Sequence, residues 1–123
     1  MQEGVDFLVD LQVRIWREGP ERSVAHDRSF DHALLRWELD HFTEWGLEAW
    51  FGVDPDSDGR SELERDFDRI SGALAARGDR LVHRDYQSTN LMRTRRGLVL
   101  IDFQDALLGT EAYDLVAYLR DSY

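Results

Sequence analysis

Residues Leu81 to Asp105 read LVHRDYQSTNLMRTRRGLVLIDFQD, and the reading of the whole chain works outward from them. A short apolar run, Leu81-Val82, enters His83-Arg84-Asp85, and a second, Leu98 to Ile101, delivers Asp102-Phe103-Gln104-Asp105. Short apolar runs bounded by polar and turn-forming residues read as strands, so two acidic groups are expected at two strand ends. Between them, Leu91-Met92 leads through Arg93 to Gly97 into the next strand, which makes a hairpin with its polar residues gathered at one end. The spacing is H-x-D-x-x-x-x-N, with Asp85 five positions before Asn90. Asp and Asn in a Gly-bounded loop can be plain turn residues whose side chains bond their own backbone. Two such loops in this order, each following an apolar run, point instead to a site.

Phosphoryl transfer is a chemistry that needs these residue types. It requires a carboxylate that orients an acceptor hydroxyl and takes its proton, and hard oxygen ligands that hold Mg²⁺ on the phosphates of ATP. Asp85 fits the first role, and Asn90 with Asp102 fits the second. The arrangement resembles the catalytic and metal-binding loops of the protein-kinase-like superfamily, where H-R-D-x-x-x-x-N precedes D-F-G. Gln104 stands where protein kinases carry that Gly. The run Ile101 to Ala106, followed by Gly109 and Tyr113-Asp114-Leu115, resembles the aminoglycoside phosphotransferase family of small-molecule kinases instead. Within that family the chain is most similar to bacterial sugar kinases that phosphorylate N-acetylmuramate and N-acetylglucosamine at the anomeric hydroxyl. Those enzymes also carry a helix like Phe30 to Trp45, with Leu34-Leu35, Glu38, Phe42 and Glu44-Trp45, and an ending like Leu119-Arg120-Asp121. The resemblance is specific from Leu81 onward and thin before Phe30.

That resemblance implies an α+β, mostly helical fold, the C-terminal lobe of a protein-kinase-like enzyme with a small catalytic β-hairpin. It implies ATP and Mg²⁺ as cofactors and a small polar molecule as substrate, an amino sugar first, with an aminoglycoside, choline or homoserine as alternatives within the same chemistry. Asp85 would be the catalytic base or hydroxyl orienter, and Asn90 and Asp102 would hold the metal and, through it, the nucleotide. His83 would orient the loop. Asp114 would accept hydrogen bonds from the catalytic loop, the plain alternative being an Asp stabilised at a helix N-terminus. Glu38 and Trp45 are candidate substrate contacts because the resembling sugar kinases carry them. Asp105 either faces the acceptor or caps the turn before Ala106. A rival of another class is a non-catalytic or truncated kinase-like binding module that keeps these loop residues as scaffold.

Composition narrows the rest. At 123 residues and 14.4 kDa the chain is one domain at most, and its 42% hydrophobic content argues for a folded core. The expected parts are a helical segment over 1–78, the catalytic and metal loops on a hairpin over 79–105, and a C-terminal helix over 106–123. No apolar run approaches the ~20 residues of a membrane helix, and the N-terminus, with Glu3 and Asp6, lacks the pattern of a signal peptide. The lack of cysteine excludes disulfides and thiol-bound zinc and suits a reducing cytoplasm. A net charge of −10 argues against a nucleic-acid partner, since phosphate backbones demand clustered positive charge.

Every basic residue is Arg, and there is no Lys. Kinases of this superfamily clamp the nucleotide phosphates with a Lys on an N-terminal-lobe strand beneath a Gly-rich loop. With neither feature here, the chain is expected to be a C-terminal lobe whose ATP-clamping lobe lies ahead of Met1, and whose last helix stops early.

Along the chain, Met1 to Glu18 predicts an amphipathic helix through Val5, Leu8, Leu11, Ile15 and Trp16, stopped by Gly19-Pro20. After a loop from Glu21, Ser29 or Asp31 can cap a helix over Asp31 to Phe51, with Leu35, Leu39, Phe42, Gly46 and Ala49 on one stripe and Trp37, Trp45 and Trp50 partly off it. Asp54 to Gly59 matches the opening of a Ca²⁺ loop, but Arg65 stands where the template needs a bidentate Glu, so a solvated loop leading into a helix is preferred. Ser61 to Glu64 reads as a capping box for that helix, whose face is Leu63, Phe67, Ile70 and Leu74 and whose terminator is a left-handed Gly78. Arg93, Arg95 and Arg96 crowd the hairpin turn as a solvated tip. The last helix, Glu111 to Tyr123, should turn Leu115, Val116 and Leu119 inward. His26, His32 and His41 form no metal pattern.

Overall fold

The computed structural model describes residues 2–18 and 24–121, as helices and small antiparallel sheets. They fall into two compact units, one made of the described residues up to Ser29 together with those from Gly78 onward, the other of Phe30–Arg77. Gly19 to Ser23, including the expected Gly19-Pro20 stop, lie outside the described residues.

The first unit begins with α1 (Gln2–Glu18). Its apolar face centres on Leu8, which is buried with Tyr86 and Tyr118, while Val5, Phe7, Leu91, Leu100 and Leu115 pack against that cluster. Trp16 does not join it: the indole is 59% exposed and carries the Arg80 guanidinium 5.0 Å above its ring. The position the core takes instead is Gln12, buried because its amide donates to the carbonyls of Leu81 (3.2 Å) and Glu111 (3.5 Å). A buried polar side chain is tolerated when it meets backbone acceptors in this way.

Strand β1 (Arg80–Val82) does not pair with either of the next two strands in the chain. Its antiparallel partner is β4 (Leu107–Gly109), in the register Arg80↔Gly109, Leu81↔Leu108, Val82↔Leu107. The sequence reading missed β4, three residues at a Gly-bounded turn. Ser29 adds a parallel bridge to Leu108 on its other side. The hairpin itself is β2 (Leu91–Thr94) with β3 (Gly97–Leu100), turned by the exposed Arg95-Arg96. Gly97 closes the turn at φ 115°, a conformation that glycine reaches without strain.

The final helix, α4, spans Ala112–Leu119, shorter than the expected Glu111 to Tyr123. Its inward face is Asp114, Leu115 and Tyr118, whereas Val116 and Leu119 are half-exposed. A buried carboxylate claims the face because it has backbone amides to hold, as described below. Where α1 meets this helix the approach is tight. A Cβ on Gly4 would come within 2.3 Å of the Tyr118 hydroxyl, and the Gly4 carbonyl accepts the Tyr86 hydroxyl at 2.6 Å. Both rings are buried and edge-packed at 5.5 Å, so neither has room to retreat. Gly4→Ala should therefore cost about 1–3 kcal/mol by overpacking despite the better helix propensity of Ala, read as a lower unfolding midpoint in urea.

In the second unit, α2 (His32–His41) is capped by Asp31, whose carboxylate accepts from the Leu34 amide at 2.8 Å. The helix continues without a break into a π-helical stretch, Phe42–Trp50. Wider π turns rotate successive side chains off an α-helical stripe, which is why Leu35 is buried while Phe42, Trp45 and Trp50 face outward. Gly46 permits the Phe42 ring to lie against the turn, since a Cβ there would sit 2.9 Å from it.

Helix α3 runs over Ser57–Ala75 and starts a turn earlier than the expected capping box. Asp56 is the cap, accepting from the Gly59 amide at 2.8 Å, which leaves Ser61 and Glu64 inside the helix. Asp54 of the acidic loop and Glu48 of the π-helical stretch both pair with Arg60. Gly78 is not left-handed, the positive-φ glycines among the described residues being Gly52 and Gly97. Phe67 and Ser71 are buried on the inner face of α3, and Ile70 is 40% exposed. Arg36 binds Asp40, Asp68 and the Glu64 carbonyl and lies over the Phe67 ring, tying α2 to α3.

Candidate active site

The site is built where β1 ends. The carboxylate of Asp114, 1% exposed in the first turn of α4, accepts from the His83 amide at 2.6 Å and from the Arg84 amide at 3.0 Å. Burial pushes the Asp114 carboxyl above its ordinary range, and the two amide bonds oppose that shift. Arg84 has φ 77°, a left-handed conformation that a bulky residue holds only when its surroundings over-determine it. The paired amides supply that constraint, and the kinked chain turns the Asp85 side chain out to solvent.

His83 is buried, with Nε2 donating to the Ile101 carbonyl at 3.0 Å and the ring edge-on to Tyr86 at 6.5 Å. Burial raises the pKa of the Tyr86 phenol, whose hydroxyl donates to Gly4. Ile101 immediately precedes Asp102, which is itself left-handed at φ 67°. The imidazole is thus a strut between the segment leading to Asp85 and the segment leading to Asp102. His83→Ala should destabilise by about 2–4 kcal/mol, through the cavity and the orphaned Ile101 carbonyl. His83→Gln, whose amide keeps a donor near the Nε2 position, should recover part of that loss in the same denaturation series.

The hairpin aligns the remaining groups. With Leu91 opposite Leu100, Asn90 and Ile101 are the next pair outward, and the Ile101 amide donates to the Asn90 carbonyl at 3.1 Å. The Asn90 side-chain amide donates to the Asp85 carbonyl at 2.9 Å, which directs its Oδ1 away from that bond as a potential ligand atom. Asp85, Asn90 and Asp102 are therefore held at one end of the hairpin by backbone bonds, while the carboxylates of Asp85 and Asp102 are exposed and bonded to no other described residue. An amide oxygen and a carboxylate there are a donor set of the hard kind that Mg²⁺ takes.

The other candidates belong to other elements. Asp105 is at a turn, 3.8 Å from Arg28 in a half-exposed pair worth under about 1 kcal/mol. Glu38 belongs to α2 and Trp45 to the π-helical stretch, both in the second unit. There His32 stands 3.5 Å from Asp68, and His41 Nδ1 lies 3.0 Å from the Trp37 carbonyl. Among the described residues no three His, Asp or Glu side chains converge. Two residues of the site's framework escaped the sequence reading as such, Gln12 and Asp121. Asp121 follows α4 and its carboxylate accepts from the Ser88 amide at 2.6 Å. The signal for it was its place in the ending Leu119-Arg120-Asp121, which carries the resemblance to the sugar kinases but assigns the carboxylate no partner.

Comparison with known proteins bears on what this framework is for. The family model described as "Phosphotransferase enzyme family" matches residues 6–123. The N-acetylmuramate/N-acetylglucosamine kinase of Neisseria meningitidis serogroup B is 35% identical over 123 residues, covering 98% of this chain and 34% of that protein. The enzymes of the same name from Pseudomonas aeruginosa and Pseudomonas putida are each 33% identical over 95 residues, 77% of this chain and 28% of theirs. The chain thus spans about a third of the length of the curated relatives it matches. The H-x-D-x-x-x-x-N loop, the second acidic loop and the buried Asp114 fall within a match that takes in nearly every residue, and the chain belongs to the phosphotransferase enzyme family.

Proposed function

We propose that this chain forms the acceptor-activating and Mg²⁺-holding part of an ATP-dependent small-molecule kinase, as the C-terminal lobe of a protein-kinase-like fold. The observation that carries the reading is the shared end of the hairpin, where Asn90, through the Asp85 carbonyl, and Ile101, through His83, join the Asp85 loop to the Asp102 loop. The exposed Asp85 carboxylate accepts a hydrogen bond from the acceptor hydroxyl, points its oxygen at the γ-phosphate and takes the proton as the new P–O bond forms and the bond from Pγ to the β–γ bridging oxygen breaks, releasing ADP. Asn90 Oδ1 and Asp102 would hold Mg²⁺, and the ion would supply positive charge to offset that of the phosphate oxygens. Lys is absent from the chain, so a phosphate-clamping Lys would come from sequence outside it.

The activity named for the relatives favours N-acetylmuramate or N-acetylglucosamine as acceptor. Aminoglycosides, choline and homoserine are the alternatives within the same chemistry. No helix of the described residues is long and apolar enough to cross a membrane, and a cytoplasmic site of action fits the cysteine-free sequence.

The test is ATP consumption with Mg²⁺ by the protein as its gene encodes it, against a panel headed by the two amino sugars. Turnover of an amino sugar is the expected result. A folded protein inert with every acceptor would sink the proposal in favour of a binding module.

A further inference from the structure

We infer that Asp121 is a positioning residue for Asn90, an inference whose functional half rests on the kinase reading above. The residues between Asp85 and Asn90 form a compact loop. The Gln87 amide donates to the Asp85 carbonyl at 2.9 Å, and a single 3₁₀ turn, Ser88–Asn90, closes with the Asn90 amide on the Gln87 carbonyl at 3.0 Å. The first amide of such a turn has no partner within it. The Asp121 carboxylate supplies one to Ser88 at 2.6 Å, the short distance of a charge-assisted bond.

The consequence comes from what lies on either side. Asp114 holds the two amides just before Asp85, and Asp121 holds an amide three residues after it. One C-terminal segment therefore pins the loop at both ends, but the two pins serve different groups. Asp114 fixes the kink at Arg84 that sets Asp85. Asp121 fixes the turn whose last residue is Asn90, and the Asn90 side chain makes the bond to the Asp85 carbonyl that aims its Oδ1. Releasing Ser88 frees the 3₁₀ turn and with it the orientation of that amide. Asp102 is held separately, by His83 through Ile101, so its carboxylate stays where it is. The expected signature is weakened metal binding centred on Asn90, with the base at Asp85 unchanged.

The experiment uses the protein as its gene encodes it, ¹⁵N-labelled at Ser and Asn, as wild type, Asp121→Asn and the surface control Asp66→Asn, with Mn²⁺ as the probe for the Mg²⁺ site. In the wild type the Ser88 amide proton should resonate downfield and exchange slowly, and paramagnetic broadening of Asn90 should titrate with Mn²⁺. Asp121→Asn should move Ser88 upfield and raise the Mn²⁺ midpoint at Asn90 about tenfold, the lower end of what losing an outer partner of a metal ligand does. Asp66→Asn should match the wild type in both.

An unmoved Ser88 amide in Asp121→Asn overturns the contact, and a released Ser88 with an unmoved Mn²⁺ midpoint overturns the positioning role. Phosphotransfer is assayed on the same samples. A wild type that is inert with every acceptor but shows the Ser88 and Mn²⁺ shifts removes the kinase reading and leaves the positioning of Asn90 standing.

Discussion

Asp85→Asn is expected to lower kcat about 10³-fold in the protein as its gene encodes it, with folding stability within about 0.5 kcal/mol of wild type. The size follows from the range of about 10²–10⁴ for a positioned general base. The lack of a stability effect follows from geometry. It is the backbone carbonyl of Asp85, not its side chain, that receives the Gln87 and Asn90 donors, and the carboxylate is exposed. Asn at this position keeps the loop and removes the proton acceptor. Steady-state kinetics beside a urea denaturation curve check both halves. A variant that retained a tenth of wild-type kcat would remove Asp85 from the role of base.

Asp102→Asn should cost at least about 10²-fold in kcat/KM, which is about 2.7 kcal/mol of transition-state stabilisation. It should also shift half-maximal activation to higher Mg²⁺. Asp102 is left-handed, a conformation that Asn adopts as readily as Asp, so the exchange changes charge without disturbing the backbone. A carboxylate offsets the charge of the ion where an amide only coordinates it, and ligand charge sets affinity in oxygen sites. Part of the loss should therefore return at high Mg²⁺, which an activity titration would show. An unshifted Mg²⁺ dependence would argue that Asp102 serves the fold alone.

The candidate site could be proposed from the sequence because its parts are local. Asp85, Asn90 and Asp102 lie within one hairpin's length, and alternation of apolar runs with polar loops is the signal that sequence carries best. Asp114 was reached through resemblance to a motif. Its contacts are long-range, to amides thirty and thirty-one positions back, and no periodicity encodes them. The same is true of Gln12 and Asp121, whose partners are single backbone groups far along the chain.

Trp16 and Val116 were misplaced because hydrophobicity says that a residue prefers burial, not that a given face has space. The early start of α3 reflects competition between two good caps, Asp56 and Ser61. The one further upstream wins, its carboxylate held by the Gly59 amide, and adds a turn of helix over Ser57 to Arg60. The π-helical stretch had no signal beyond Gly46.

The hairpin register carries a practical consequence. Its ladder is anchored at the open end by Ile101 on Asn90 and by His83 on Ile101, so the exposed Arg95-Arg96 tip is redundant for alignment. Lengthening a loop costs only about 0.6 kcal/mol per doubling. A fluorophore-bearing peptide or an affinity tag spliced between Arg95 and Arg96 would be carried at the far end of the ladder from Asp85, Asn90 and Asp102, giving a point of attachment that leaves their alignment intact.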